Sequence, residues 1–345
     1  MHRLAPIVAF TGLLIAGHAS ATPPPAAAGS TAGTSASPAD QKRVAAIQQY
    51  QHDLVSVVAL RAEPDYLLGA AILAKPFENQ TPGLQFDALS QRAAAAPGAG
   101  PAVHWQRLVA CKTQADCPNQ DALAYLEQHA ADNAAVWIVA MDVAAQDKDA
   151  AAERAALKKA AAAQSYDDYY GKALAGVAEA VAVLPPLDDT TKGAHDGQPD
   201  NPDGVRVLVT LMNMQAYTRP DFGPVDKLCA KPGAGKDAEP AADCLKLAHT
   251  LQWGSSPIAR AMGLRIQAVL QPARKAQAEQ ASRDLEWQVQ QYSHLPQRSL
   301  TDPARASRWL AAARNGGTEL SLILATLRAN GIPLDAPASA GSAAR

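Results

Sequence analysis

Apolar residues recur at helical spacing along most of the chain, and alternating β-branched runs are nearly absent, so the pattern predicts helices and no sheet. The first predicted helix covers 39–61, with Asp40 at its start, where a carboxylate complements the helix dipole. A short apolar helix over 66–74 follows Pro64, and one over 84–96 stops at Pro97-Gly98-Ala99-Gly100. Helices over 102–111, 120–130, 134–145, 149–163 and 166–184 come next. Their connections are short, so neighbours are expected to pack antiparallel. Pro185-Pro186 ends this series, and residues 187–204 hold Asp, Gly, Pro and Asn without periodicity. A second series covers 205–217, 241–252, 256–270, 273–294, 303–315 and 319–330. Ser255 or Ser256 is placed to cap the helix that has Pro257 in its first turn, and Thr318 to cap the last one. The pattern therefore predicts an N-terminal helical lobe at 39–186, a linker at 187–204 and a C-terminal helical lobe at 205–334.

Trp105, Trp137 and Tyr169 stand 32 residues apart, and a further step back lands on Leu73. A fixed period in the low thirties marks stacked helix-turn-helix repeats. In this register Leu123 falls on Ala155, Ala124 on Ala156 and Tyr125 on Leu157. The segment from Asp132-Asn133-Ala134-Ala135-Val136-Trp137 through Ala163 resembles a tetratricopeptide repeat. It carries the aromatic near the start of the first helix and small residues, Ala152 and Ala160, where two helices would touch. It departs from that family's pattern at Met141, where a small residue is usual, and it lacks the closing proline. The resemblance covers residues 70–170 and implies an all-α, tetratricopeptide-like right-handed solenoid; the length of the chain suits either one long array or two lobes. Through Asp-Asn-Ala-Ala-Val-Trp and Tyr-Asp-Asp-Tyr-Tyr-Gly the chain also resembles a group of Ala-rich exported helical proteins of high-GC proteobacteria, which implies no activity.

Composition adds a compartment. His2 and Arg3 precede an apolar run at 7–16, and Ala19-Ser20-Ala21 is a small-x-small triplet of the kind signal peptidase cuts. The run is about ten residues, short of the roughly twenty that span a bilayer. Residues 1–21 thus read as a signal peptide, 22–38 as a Pro/Ala/Gly/Ser/Thr linker and 335–345 as a disordered tail. Cleavage near Ala21 removes Arg3, so the formal net charge of -2 becomes -3. A weakly acidic chain lacks the concentrated basic face that nucleic acid requires, and no second apolar run approaches membrane-spanning length. The expected location is periplasmic or secreted. Cys111, Cys117, Cys229 and Cys244 fit an oxidising compartment. Of three connectivities, local pairing of 111 with 117 and of 229 with 244 is simplest, because each pair flanks a turn-like segment. The second closes the loop from Pro232 to Asp237 and contributes about 3 kcal/mol in the chain-entropy model. The gaps are too wide for a structural zinc site, which places its cysteines in closer pairs.

Searches for chemistry end without a catalytic residue, a metal or a cofactor. Gly233-Ala234-Gly235-Lys236 lacks the Ser or Thr of a phosphate loop, since Asp237 follows. There is no Gly-x-Ser-x-Gly elbow. His104 and His129 do not form a His-x-x-x-His pair, and His129 suits a helix C-terminus. The carboxylates of 195–204 do not match the spacing of a hand-type calcium loop and read as a hydrated linker. The densest polar-aromatic cluster is Tyr166-Asp167-Asp168-Tyr169-Tyr170. It is the candidate partner-binding surface, because Tyr is enriched at interface hot spots. The competing reading packs Tyr166 and Tyr169 between helices and starts the next helix at the Asp pair, and the spacings of three and four favour it. Trp105, Trp137, Trp287 and Trp309 read as core aromatics. The expected function is an exported helical-repeat scaffold that binds a protein or peptide partner in the cell envelope, without catalysis. The alternatives are an inhibitor or immunity protein against a secreted toxin and an enzyme acting on cell-wall glycan. For the enzyme, Glu286 is a candidate acid, but it stands in what reads as a charged helix face, with no Glu-Ser signature.

Overall fold

The computed structural model describes residues 38–77, 80–111, 117–187, 201–215, 217–231 and 238–337. The signal peptide, nearly all of the 22–38 linker, most of 187–204, the loop 232–237 and most of the C-terminal tail lie outside these residues. The chain is all-α: among the described residues the elements are helices, joined by one isolated bridge between Asn133 and Ser165. The first group is α1 (Pro38–Val58), α2 (Pro64–Ala74), α3 (Phe86–Ala95), α4 (Pro101–Arg107), α5 (Gln120–His129), α6 (Ala134–Gln146), α7 (Ala150–Ala162) and α8 (Tyr170–Ala180). The second is α9 (Pro202–Gln215), α10 (Gly223–Cys229), α11 (Ala238–Gln252), α12 (Pro257–Leu270), α13 (Lys275–Ser293), α14 (Leu295–Ser299), α15 (Pro303–Arg314) and α16 (Glu319–Ala329).

Local chemistry explains the boundaries. Asn119, Asn133, Asp149, Ser256, Asp302 and Thr318 each accept a backbone N–H of the first turn that follows, and Thr318 shares a reciprocal capping box with Ser321. Proline stands in the first turn of α2, α4, α12 and α15, where its missing N–H costs nothing. Two expectations shift. The helix expected over 166–184 begins at Tyr170, because Tyr169 adopts a left-handed φ of 57°. The short helices α10 and α14 occupy segments where too few residues are present for a period to show.

The core is built around α2, in which every residue from Leu67 to Ala74 is buried. It packs against α8, nearly a hundred residues away in sequence. Gly69 and Gly176 allow that approach, since a side chain at 69 would meet the Gly176 carbonyl. Alanine does the same elsewhere: Ala134, Ala135, Ala160, Ala178 and Ala180 are buried where neighbouring helices come close. The main apolar cluster draws on residues from Ile47 to Leu322, so segments on both sides of 187–204 contribute to one core. Leu264, Ala278, Leu285 and Leu320 make a small separate cluster, and Leu295, Ile323 and Leu327 another.

Both local cysteine pairs are bonded, each with a Cα–Cα distance of 5.4 Å. Cys229 and Cys244 are buried, whereas Cys111 and Cys117 are half-buried. Two such bridges fit an oxidising, exported location. Among the described residues no helix is long and apolar enough to cross a membrane.

Candidate functional site

Two places concentrate charged and aromatic side chains. The first is the segment that the sequence marks for a partner surface. Asn133 ties it to the start of α6: its carboxamide donates to the Asp167 carbonyl at 2.7 Å and to the Tyr169 hydroxyl at 3.1 Å, and accepts the Asp167 N–H at 2.9 Å. The Asp167 carboxylate accepts the N–H of Tyr169 at 2.8 Å, which holds the left-handed turn. Asp168 is fully buried. Its carboxylate accepts the Tyr170 N–H at 3.3 Å, the Ser255 hydroxyl at 3.2 Å and the Arg219 guanidinium at 3.4 Å. Its carbonyl accepts the Tyr217 hydroxyl at 2.7 Å. Arg219 also forks onto both oxygens of Glu319 at 2.8 Å, and lies over the Tyr170 ring.

Electrostatics follow from this burial. Desolvation raises the carboxyl of Glu319 above its ordinary value while Arg219 pulls it back. Burial works against the charge of Arg219, yet the hydrogen bonds and charge of Glu319 push its pKa up. Asp167 is raised by burial, with the Tyr169 N–H and Ser255 opposing. Tyr166 is buried with its ring near Phe222, and Gly171 lies so close to Gly317 that a side chain there would meet the Gly317 carbonyl. Of the five residues marked by the sequence, Tyr166 and Asp168 are inside, and Asp167, Tyr169 and Tyr170 are half-buried. The cluster is a joint that ties together the starts of α6, α8, α12 and α16 and the segment before α10.

The register aromatics occupy different surroundings. The rings of Trp105 and Tyr169 touch, with centroids 5.7 Å apart, while Trp137 lies under Lys159 and donates to the Ala131 carbonyl. Trp105, Trp137 and Trp309 are buried, and Trp287 is half-buried. His104 stacks on Tyr125, which stacks on His129. Burial, with the charges of Arg107 and His129, depresses the His104 pKa to about 4.

The second place is the open surface where α11, α12 and the start of α13 meet. Two adjoining clefts there have volumes of about 160 and 320 Å³ and share Gln252, Gln267 and Arg274. The smaller is completed by Trp253, Arg260, Leu264, Gln277 and Ala281, and the larger by Leu245, Lys246, Ala248, His249 and Gln271. Trp253 is 81% exposed. Its position is fixed by the turn between two helices: Gly254 follows, and Ser256 then caps α12. Arg260 and Arg274 have no ion pair or side-chain hydrogen bond among the described residues. The sequence carried one hint of this site, an aromatic in a turn between helices rather than on a helix face. Glu286 is exposed on α13 and lines neither cleft. Among the described residues no group of three or more His, Cys, Asp or Glu is placed to hold a metal ion. Compared with family models, curated proteins and solved structures, the chain matches none.

Proposed function

We propose that this protein is an exported all-α scaffold that holds a protein or peptide partner in the cell envelope, without catalysing a reaction. The supporting observation is Trp253, a large aromatic left in solvent beside an open cleft lined by arginine, glutamine and aliphatic side chains. Burying an indole is worth a few kcal/mol, and Trp and Arg are the residues most enriched at binding hot spots. The tetratricopeptide-like solenoid belongs to the same proposal. It draws on the packing of α6 against α7 across a short connection, with Ala160 and Ala156 buried on α7, whereas Ala152, expected at that contact, is exposed. The signal peptide at 1–21 and periplasmic residence complete it, in keeping with the two bridges. A photo-crosslinking amino acid at position 253 of the mature chain tests the reading, with the exposed Leu60 as the comparison position. One identified envelope protein captured from 253 and not from 60 is expected. Equal capture from both positions, or none, overturns it.

A further inference from the structure

The chemistry of the Trp253 clefts specifies what they hold, and this inference rests on their being the partner-binding face. The chain as a whole is weakly acidic. Yet the clefts present Lys246, His249, Arg260 and Arg274 and no carboxylate. Three acids near the clefts are engaged: Asp243 with Lys246 at 3.6 Å, Glu279 with Lys275 at 3.9 Å, Asp226 with Arg265 at 3.0 Å; Glu286, exposed on α13, lines neither cleft. Asp284 accepts from Gln280 and from the Ala336 N–H. The guanidiniums of Arg260 and Arg274 are therefore left over.

A free guanidinium is a planar fork that matches a carboxylate through two parallel hydrogen bonds. Glutamines line the same clefts: Gln267 donates to Gln271 and Gln252 to the Gly263 carbonyl, each at 3.4 Å, while the carboxamide of Gln277 keeps both a donor and an acceptor for a peptide backbone. The floor is aliphatic, formed by Leu245, Ala248, Leu264 and Ala281. An apolar side chain fits there. The geometry points to an acidic segment of a protein as the occupant. Its carboxylates pair with Arg260 and Arg274, an apolar side chain sits between them, and Trp253 packs over it.

Fluorescence anisotropy on the mature chain tests this with a fluorescein-labelled peptide in which glutamates flank a central leucine. The same peptide with glutamines and an oligogalacturonate are the comparison ligands. The glutamate peptide is expected to bind at least about tenfold more tightly than the glutamine one, and added salt narrows the gap. R260Q combined with R274Q abolishes the preference, while Trp253→Ala weakens both peptides; melting curves stay unchanged for the exposed positions 253 and 274, and R260Q, at a half-buried position, is shown to be folded by its own melting curve. Equal affinity for the two peptides, a preference that survives the double arginine variant, or tighter binding of the oligogalacturonate overturns the inference. Capture of a partner from position 253 without glutamate preference overturns this inference alone. Failure of both capture and peptide binding overturns the proposed function with it.

Discussion

At the joint, Arg219 meets Glu319 and Asp168 within a web of hydroxyls and backbone amides; at the cleft, Arg260 and Arg274 have no ion pair or side-chain hydrogen bond among the described residues. Both places combine arginine with an aromatic ring, yet their chemistry is spent differently. The joint uses its charges on itself, because each buried polar group must find a partner inside the protein. The cleft keeps its charges for whatever arrives. A dense polar-aromatic segment is thus a poor guide to a binding surface when its side chains are short enough to bond their own backbone, as Asp167 and Asp168 do. Long side chains on separate helices, none conspicuous alone, make the open site.

The contrast breaks most sharply at Asp168. Asp168→Ala removes the acceptor of three hydrogen bonds and half of Arg219's pairing inside the fold, so a loss of about 3–5 kcal/mol is expected. Chemical denaturation measures it, and a loss under about 1 kcal/mol would show that the joint does not hold the helices together. Removing the Cys229–Cys244 bridge by double serine substitution is expected to cost about 3 kcal/mol by the chain-entropy model, less than Asp168→Ala at its upper end. The same denaturation curves read it.

A pH scan separates the joint from a third region. The folded His104 titrates near 4, against about 6.5 unfolded. Between those values the unfolded chain binds a proton that the folded one refuses, so stability falls as pH drops through that window and levels off below it. The full shift corresponds to about 3 kcal/mol, reduced to about 2 kcal/mol by solvent screening, and His104→Phe should flatten the fall. Burial raises the carboxyls of Asp167 and Glu319, which favours their protonation in the folded state. Acid therefore acts on them in the opposite direction, and an acid loss that survives His104→Phe would contradict the assignment. Tyr217→Phe deletes one buried hydrogen bond to the Asp168 carbonyl and is expected to cost about 1 kcal/mol in thermal denaturation. Smallest is Trp253→Ala, within about 0.5 kcal/mol in stability, while peptide binding at the cleft weakens; a large stability loss would place Trp253 with the joint.

Helix positions were legible because alanine, leucine and valine recur with helical spacing and because Ser256, Thr318, Asp149 and Asn133 announce helix starts. The local bridges were legible from spacing, since each pair flanks a turn. What escaped was long-range. Nothing near Gly69 names Gly176 as its neighbour, and nothing near Asp168 names Ser255, Arg219 and Glu319, which lie 87, 51 and 151 positions further on. The cleft escaped for the same reason: Arg260 and Arg274 come together only after α12 reverses into α13. The left-handed turn at Tyr169 was hidden because, besides the local Asp167 carboxylate, its support comes from Asn133, far away in sequence.

The Arg219–Glu319 fork also sets a schedule. A chain that crosses a membrane N-terminus first delivers α2 and α8 early, Arg219 later and Glu319 near the end. Until α16 arrives, Arg219, half-buried in the finished fold, has Asp168 but not Glu319 to offset its charge. The completed assembly thus waits on its last helix, and a chain cut short before residue 319 is left as an open substrate for proteases rather than as a smaller working protein.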